Sequence, residues 1–177
     1  GGFLITAMNH ALEIIEREHR EQWVDPSNGS DLERQELFKA RSEYLSQCLF
    51  GIDLNPALVR AAKMNMVMNN DGSGGLWQSN TLVNPHSWPV TLRERVPLGS
   101  IDVIVSNPPF GANIQVDDEE ILSQYDLAAV WDVNDEGEYV MRRDAQGAPV
   151  LQKSQPPEIL FIERALQFLK PGTGRMA

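Results

Sequence analysis

Two short apolar blocks in this chain stop abruptly on polar residues, and longer stretches space their apolar residues for helices. Ile101-Asp102-Val103-Ile104-Val105-Ser106 is rich in β-branched residues and ends at Asn107-Pro108-Pro109-Phe110, so it is predicted to be a strand. Leu49-Phe50-Gly51-Ile52-Asp53 is the second block, and it ends on a carboxylate. Leu54-Asn55-Pro56 follows, with Asn55 placed to cap a helix whose first residue is Pro56. That helix is predicted to run to Asn69, with Leu58, Ala61, Ala62, Asn65 and Met66 at helical spacing. Another helix is predicted after Gly1-Gly2-Phe3-Leu4-Ile5, through Ala7, Ala11, Ile14 and Ile15. Pro157 opens a third, in which Ile159, Ile162, Leu166 and Leu169 make one apolar stripe, widened by Phe161, Ala165 and Phe168. Lys170-Pro171-Gly172 ends it, and Gly174-Arg175-Met176-Ala177 reads as the start of a further strand.

Two segments interrupt this pattern. Glu16 to Glu43 is dense in charge, with a turn at Asp25-Pro26-Ser27-Asn28-Gly29 and a helix from Asp31 to Leu45, so residues 16–45 read as a polar insertion on the surface. Residues 112–155 show no clear periodicity and read as an irregular lid or a solvated loop. The alternation of strands and helices, with polar motifs at strand ends, predicts an α/β domain with a largely parallel sheet.

The polar ends carry the chemistry. Neither proline of Asn107-Pro108-Pro109 has an N–H and each fixes φ, so the strand cannot continue its ladder and must project its groups from its C-terminal end. In open α/β sheets that end is where ligands bind. The Asn107 amide oxygen and the Pro108 carbonyl are two acceptors, and Phe110 is an aromatic plate beside them. The set suits a planar ring bearing an amino group, whose two hydrogens it can accept while the ring stacks. Taken alone, the same four residues also describe a plain strand-ending turn. Asp53, at the tip of its strand, is placed to accept from ribose hydroxyls, with Leu54 against an adenine face, or is simply a strand-ending acid. Gly1 and Gly2 at a helix start permit close backbone approach to a ligand.

Gly1-Gly2-Phe3-Leu4, Gly51-Ile52-Asp53, Asn80-Thr81-Leu82, Asn107-Pro108-Pro109-Phe110-Gly111 and Leu169-Lys170-Pro171-Gly172 follow one another as in adenine-N6 DNA methyltransferases that use S-adenosylmethionine. Among these the chain most resembles the modification subunit of type I restriction-modification systems. The resemblance implies that Asn107 and Pro108, within the catalytic block that Pro109 and Phe110 complete, bind the target amine, and that Phe110 stacks on an extruded adenine. It implies that Asp53 holds the cofactor's ribose, that Gly1 and Gly2 line its amino-acid end, and that Asn80, where many relatives have an acid, accepts from its adenine amine; Phe3, Leu54 and Thr81 beside them are expected to be further cofactor contacts. It further implies a Rossmann-like methyltransferase fold whose first strand is missing from this chain. Residues 1–177 are then a partial catalytic domain, inactive on its own. DNA, a specificity subunit and a restriction subunit are the implied partners, in the cytoplasm. Methyltransferases for a guanine amine in RNA or for a protein glutamine also use an Asn-Pro-Pro-aromatic ledge, and a non-catalytic nucleotide-binding module is the remoter alternative.

Composition narrows these options. With 177 residues, 42% of them apolar, and no long apolar run, the chain is expected to be one soluble domain without a membrane span or signal peptide. The single Cys48 precedes Asp53 in a predicted strand, so it is expected to be a buried core residue rather than the thiolate that ring-carbon methylation of cytosine needs. His10, His19 and His86 are scattered, and no metal site is expected. The net charge of −10 opposes unaided binding to phosphates, so other domains or subunits are expected to supply the basic track.

Overall fold

The computed structural model describes residues 2–69, 75–109 and 114–177. The chain forms two compact units, residues 1–80 and 81–177.

In the first unit, α1 (Gly2–Glu21) and α2 (Asp31–Gln47) precede β1 (Gly51–Asp53), α3 (Pro56–Met68) and β2 (Leu76–Gln78). Strands β1 and β2 are parallel, with Gly51 opposite Leu76 and Asp53 opposite Gln78. The core beneath them is built from Met8, Leu12, Leu49, Met66 and Leu76. The charge-dense insertion is helical because its ends are capped: the Ser30 hydroxyl accepts from the Glu33 N–H and the Glu33 carboxylate from the Ser30 N–H, a reciprocal box. It is more than a surface excursion, since Tyr44 and Leu45 pack against the core and Arg41 pairs with Glu16 of α1 at 3.3 Å.

Three expectations are corrected here. Cys48 is exposed, because α2 extends to Gln47 and makes it the C-cap, its N–H bonded to the Tyr44 carbonyl; Leu49 takes the core position instead. On α3 the buried face runs through Val59 and Met66, so Leu58 and Asn65 point outward. On α1 the buried residues are Met8 and Leu12, while Ala7 is exposed.

Strand β2 carried no periodic signal of its own, being three residues long, yet backbone sterics fix it firmly. Gly51 donates to the Gly75 carbonyl at 2.8 Å, and a Cβ on Gly75 would stand 2.1 Å from the Leu49 carbonyl oxygen. Gly75→Ala is therefore expected to destabilise the protein by about 1–3 kcal/mol, the usual cost of overpacking. Urea unfolding checks this, and an unchanged midpoint would refute the tight contact.

The second unit contains α4 (Val90–Arg95), β3 (Val103–Ile104), α5 (Glu119–Leu122), β4 (Trp131–Val133), β5 (Tyr139–Met141), α6 (Pro157–Phe168) and β6 (Arg175–Met176). Strands β3 and β6 are parallel and β4 and β5 antiparallel. Its core joins Leu82, Leu122, Tyr125, Ala128 and Leu160, and Trp88 stacks on Phe168 at 5.5 Å. The described part of the segment expected to be irregular is ordered: Asp118 caps α5, Gly137 at φ +81° turns the β4–β5 hairpin, and Val116 and Gln155 exchange two backbone hydrogen bonds. Elements of three or four residues are too short to leave a readable period.

Helix α6 begins at Pro157 as predicted, with a different inner face. Leu160, Arg164, Ala165 and Phe168 are buried, whereas Ile162 and Leu166 of the predicted stripe are exposed. The architecture is thus mixed α/β with short parallel strands, arranged among the described residues as two parallel pairs and one antiparallel pair. No described helix is long and apolar enough to cross a membrane.

Candidate functional site

The acceptor ledge emerges from a parallel ladder longer than β3 itself. The Ile101 N–H donates to the Phe168 carbonyl and the Ile101 carbonyl accepts from Lys170, each at 2.9 Å. Farther along, Ala177 donates to Ile104 and Ser106 donates to Ala177, each at 3.0 Å. Lys170 and Asp102 add an ion pair at 2.7 Å. The ladder ends at Ser106, where the prolines remove the next donors. Asn107 and Pro109 are exposed and Pro108 is half-buried, so the acceptors stand open at the C-terminal end of β3. Phe110 lies outside the described residues, as does Gly1.

The other candidate group sits at the corresponding edge of the first unit. Asp53, the last residue of β1, is exposed, and its Oδ1 accepts the Asn55 N–H at 2.7 Å. That turn fixes the carboxylate's direction, while Oδ2 accepts from no described residue. Asn55 uses its own Oδ1 to cap α3, accepting from Ala57 at 2.9 Å and Leu58 at 3.4 Å, which ties the start of the helix to the acid. Leu54 is 63% exposed, an aliphatic surface next to a carboxylate. Asn80 is half-buried and lies two residues beyond β2; because Ser79 donates to the Asp53 carbonyl at 3.0 Å, Asn80 leaves the same C-terminal edge as Asp53. Thr81 opens the second unit and is half-buried.

Gly2 and Phe3 begin α1 and are both exposed. A Cβ on Gly51 would meet Leu4 Cδ1 at 2.8 Å, so the first turn of α1 lies against β1. A Cβ at Gly2 would meet nothing within 4 Å, which leaves that backbone open to approach. A shallow groove edged by Glu13, Glu16, Arg17 and Arg20 lies toward the other end of α1, and its mixed charge and solvent-facing walls give it no claim as a catalytic pocket.

One buried polar cluster escaped sequence reasoning. Arg164 on α6 is only 2% exposed and, among the described residues, has no ion pair. Its guanidinium lies over the Tyr125 ring at 4.9 Å and donates to Tyr125 Oη at 2.9 Å. Tyr125 in turn donates to the Leu82 carbonyl at 2.7 Å. Desolvation by burial pushes the Tyr125 phenol up to about 12, against the pull of Arg164, so it remains a donor at neutral pH. The only signal in the sequence was an arginine inside an otherwise apolar helix face.

The profile of a known family, described as N-6 DNA methylase, matches residues 5–140. The chain belongs to the N-6 DNA methylase family. The match takes in Asp53, Asn80 and the Asn107 ledge, so the methylase family's chemistry, methyl transfer to DNA, is the activity class of this chain. No curated protein and no solved structure matches it. Among the described residues no group of His, Cys, Asp and Glu could hold a metal ion.

Proposed function

We propose that this methylase transfers the methyl group of S-adenosylmethionine to the N6 amine of adenine in DNA, as the modification subunit of a type I restriction-modification system. The observation that carries the reading is the open ledge: a parallel strand whose ladder stops at Ser106 and leaves Asn107 exposed at its C-terminal end. Asn107 Oδ1 and the Pro108 carbonyl accept the two amine hydrogens of an extruded adenine, which localises the nitrogen lone pair and fixes the ring's orientation. Phe110 supplies the stacking surface. No side chain is assigned as a general base, since the nitrogen's proton leaves to solvent once the nitrogen is alkylated.

The residues at the edge of β1 fit the methyl donor. Asp53 offers a carboxylate oxygen that accepts from no described residue, Leu54 an exposed aliphatic face, and Gly2 an unobstructed backbone. Asp53 and Leu54 hold its ribose and adenine, Asn80 and Thr81 its adenine amine, and Gly1, Gly2 and Phe3 its amino-acid end. When bound, that cofactor supplies an electrophilic methyl on a sulfonium. The fold this implies is the Rossmann-like methyltransferase fold, with residues 1–177 as a partial catalytic domain.

The net charge of −10 leaves this chain poorly suited to grip a phosphate backbone. A specificity subunit carrying the basic surface, together with a restriction subunit, completes the proposed assembly in the cytoplasm. The test is transfer of labelled methyl from S-adenosylmethionine by the full-length protein to duplex DNA, ribosomal RNA and a glutamine peptide. Label at adenine N6 of DNA is expected; label only in RNA or peptide overturns the assignment. Asp53→Ala is expected to weaken cofactor binding about 10- to 100-fold, the loss of hydrogen bonds to a charged acceptor. Calorimetry with S-adenosylmethionine reads this, and an unaltered affinity would remove Asp53 from the site.

A further inference from the structure

A buried arginine with no carboxylate partner among the described residues is an unusual thing for a helix to keep. Burial of such a charge is tolerated only when its donors are matched by acceptors. In Arg164 they are matched by oxygens from segments far apart in the chain. Nη2 donates to the Leu82 carbonyl at 3.1 Å, the Val83 carbonyl at 3.3 Å and Gln124 Oε1 at 2.9 Å. Nε donates to Tyr125 Oη and Nη1 to Gln167 Oε1, both at 2.9 Å. The Leu82 carbonyl also accepts from Tyr125, so the cluster closes on itself.

What the cluster holds is the main chain immediately after Thr81. Those carbonyls belong to neither a helix nor a strand. Arg164 and Tyr125 therefore tie down this loop's main chain through the Leu82 and Val83 carbonyls, with Gln124 holding the Arg164 guanidinium in turn.

We infer that Arg164 is a positioning residue for the methyl-transfer site, fixing the Thr81–Val83 main chain so that Thr81 presents its groups to the donor's adenine. The inference rests on the proposed reading of the Asn80-Thr81 segment as part of the donor site. Arg164 itself touches neither donor nor base. Its effect is specific: the loop's acceptors set affinity for one ligand and leave the Asn107 ledge unchanged.

The experiment uses the full-length enzyme and its Arg164→Lys and Tyr125→Phe variants, with steady-state kinetics in S-adenosylmethionine and in DNA, and with circular dichroism at the assay temperature. Lysine keeps the charge and loses the fork that reaches several oxygens at once. The expected result is a rise in KM for S-adenosylmethionine of about tenfold for Arg164→Lys in folded protein, with KM for DNA unchanged. Tyr125→Phe, which keeps the ring and removes one hydroxyl, is expected to raise the same KM about threefold, and it carries the test if the lysine variant does not fold. Variants that melt earlier but retain the parent's KM for S-adenosylmethionine would show the cluster to be structural only and overturn the inference. If the parent enzyme itself fails to bind S-adenosylmethionine, the proposed function falls first and this inference with it.

Discussion

Asn107→Ala is expected to lower the rate of methyl transfer about 10²- to 10³-fold, with no change in melting temperature. The magnitude is that of removing one preorganised polar partner from a reacting centre. Alanine deletes the side-chain acceptor but leaves the Pro108 carbonyl, so one hydrogen of the target amine loses its partner. The amine then keeps its lone pair conjugated with the ring, and the loss falls on kcat rather than on affinity for DNA. Stability is spared because Asn107 is exposed, beyond the last ladder bond at Ser106. Single-turnover methylation with the labelled donor separates these effects. A variant within threefold of the parent would remove Asn107 from the chemistry.

Leu160→Ala is expected to cost about 2–5 kcal/mol of stability, whereas Leu166→Ala is expected to cost less than about 0.5 kcal/mol. Leu160 is 0% exposed and packs with Leu82, Leu122, Tyr125 and Ala128, so truncation leaves a cavity in the core of its unit. Leu166 is 60% exposed on the same helix. Urea unfolding of the pair checks the inner face of α6; similar costs for both variants would place it wrongly.

That contrast marks where reading the sequence stopped. Features decided within a few residues were legible: the Asn55 cap and Pro56 start of α3, the β1 terminus at Asp53, and the halt of the strand at Asn107-Pro108 all follow from local backbone chemistry. The apolar stripe of α6 was not, because the helix carries apolar residues on more than one side and only its neighbours choose between them. Leu160 and Phe168 face Leu82 and Trp88, partners that are remote in the chain. Cys48 failed for a different reason: a helix that runs two residues past its predicted end at Leu45, to Gln47, moved the residue from a strand to a cap. The Arg164 cluster lay beyond reach because its partners come from three separate segments. Asp53 and Asn107 were singled out by their position at strand ends and Asn80 and Thr81 only by the family resemblance, whereas nothing local pointed to the residues that brace their surroundings.

The ladder that supports the ledge joins Ser106 to Ala177 and Ile101 to Phe168, so the strand is completed only by residues made much later. During synthesis, the segment ending at Asn107 leaves the ribosome long before its neighbour exists. Pairings so remote in sequence form slowly and late. A ribosome-bound intermediate would already carry the β1–β2 pair and its acidic tip, yet lack both a braced ledge and the Arg164 cluster, so the Asp53 edge is expected to form first and both full donor affinity and competence for transfer to wait for α6.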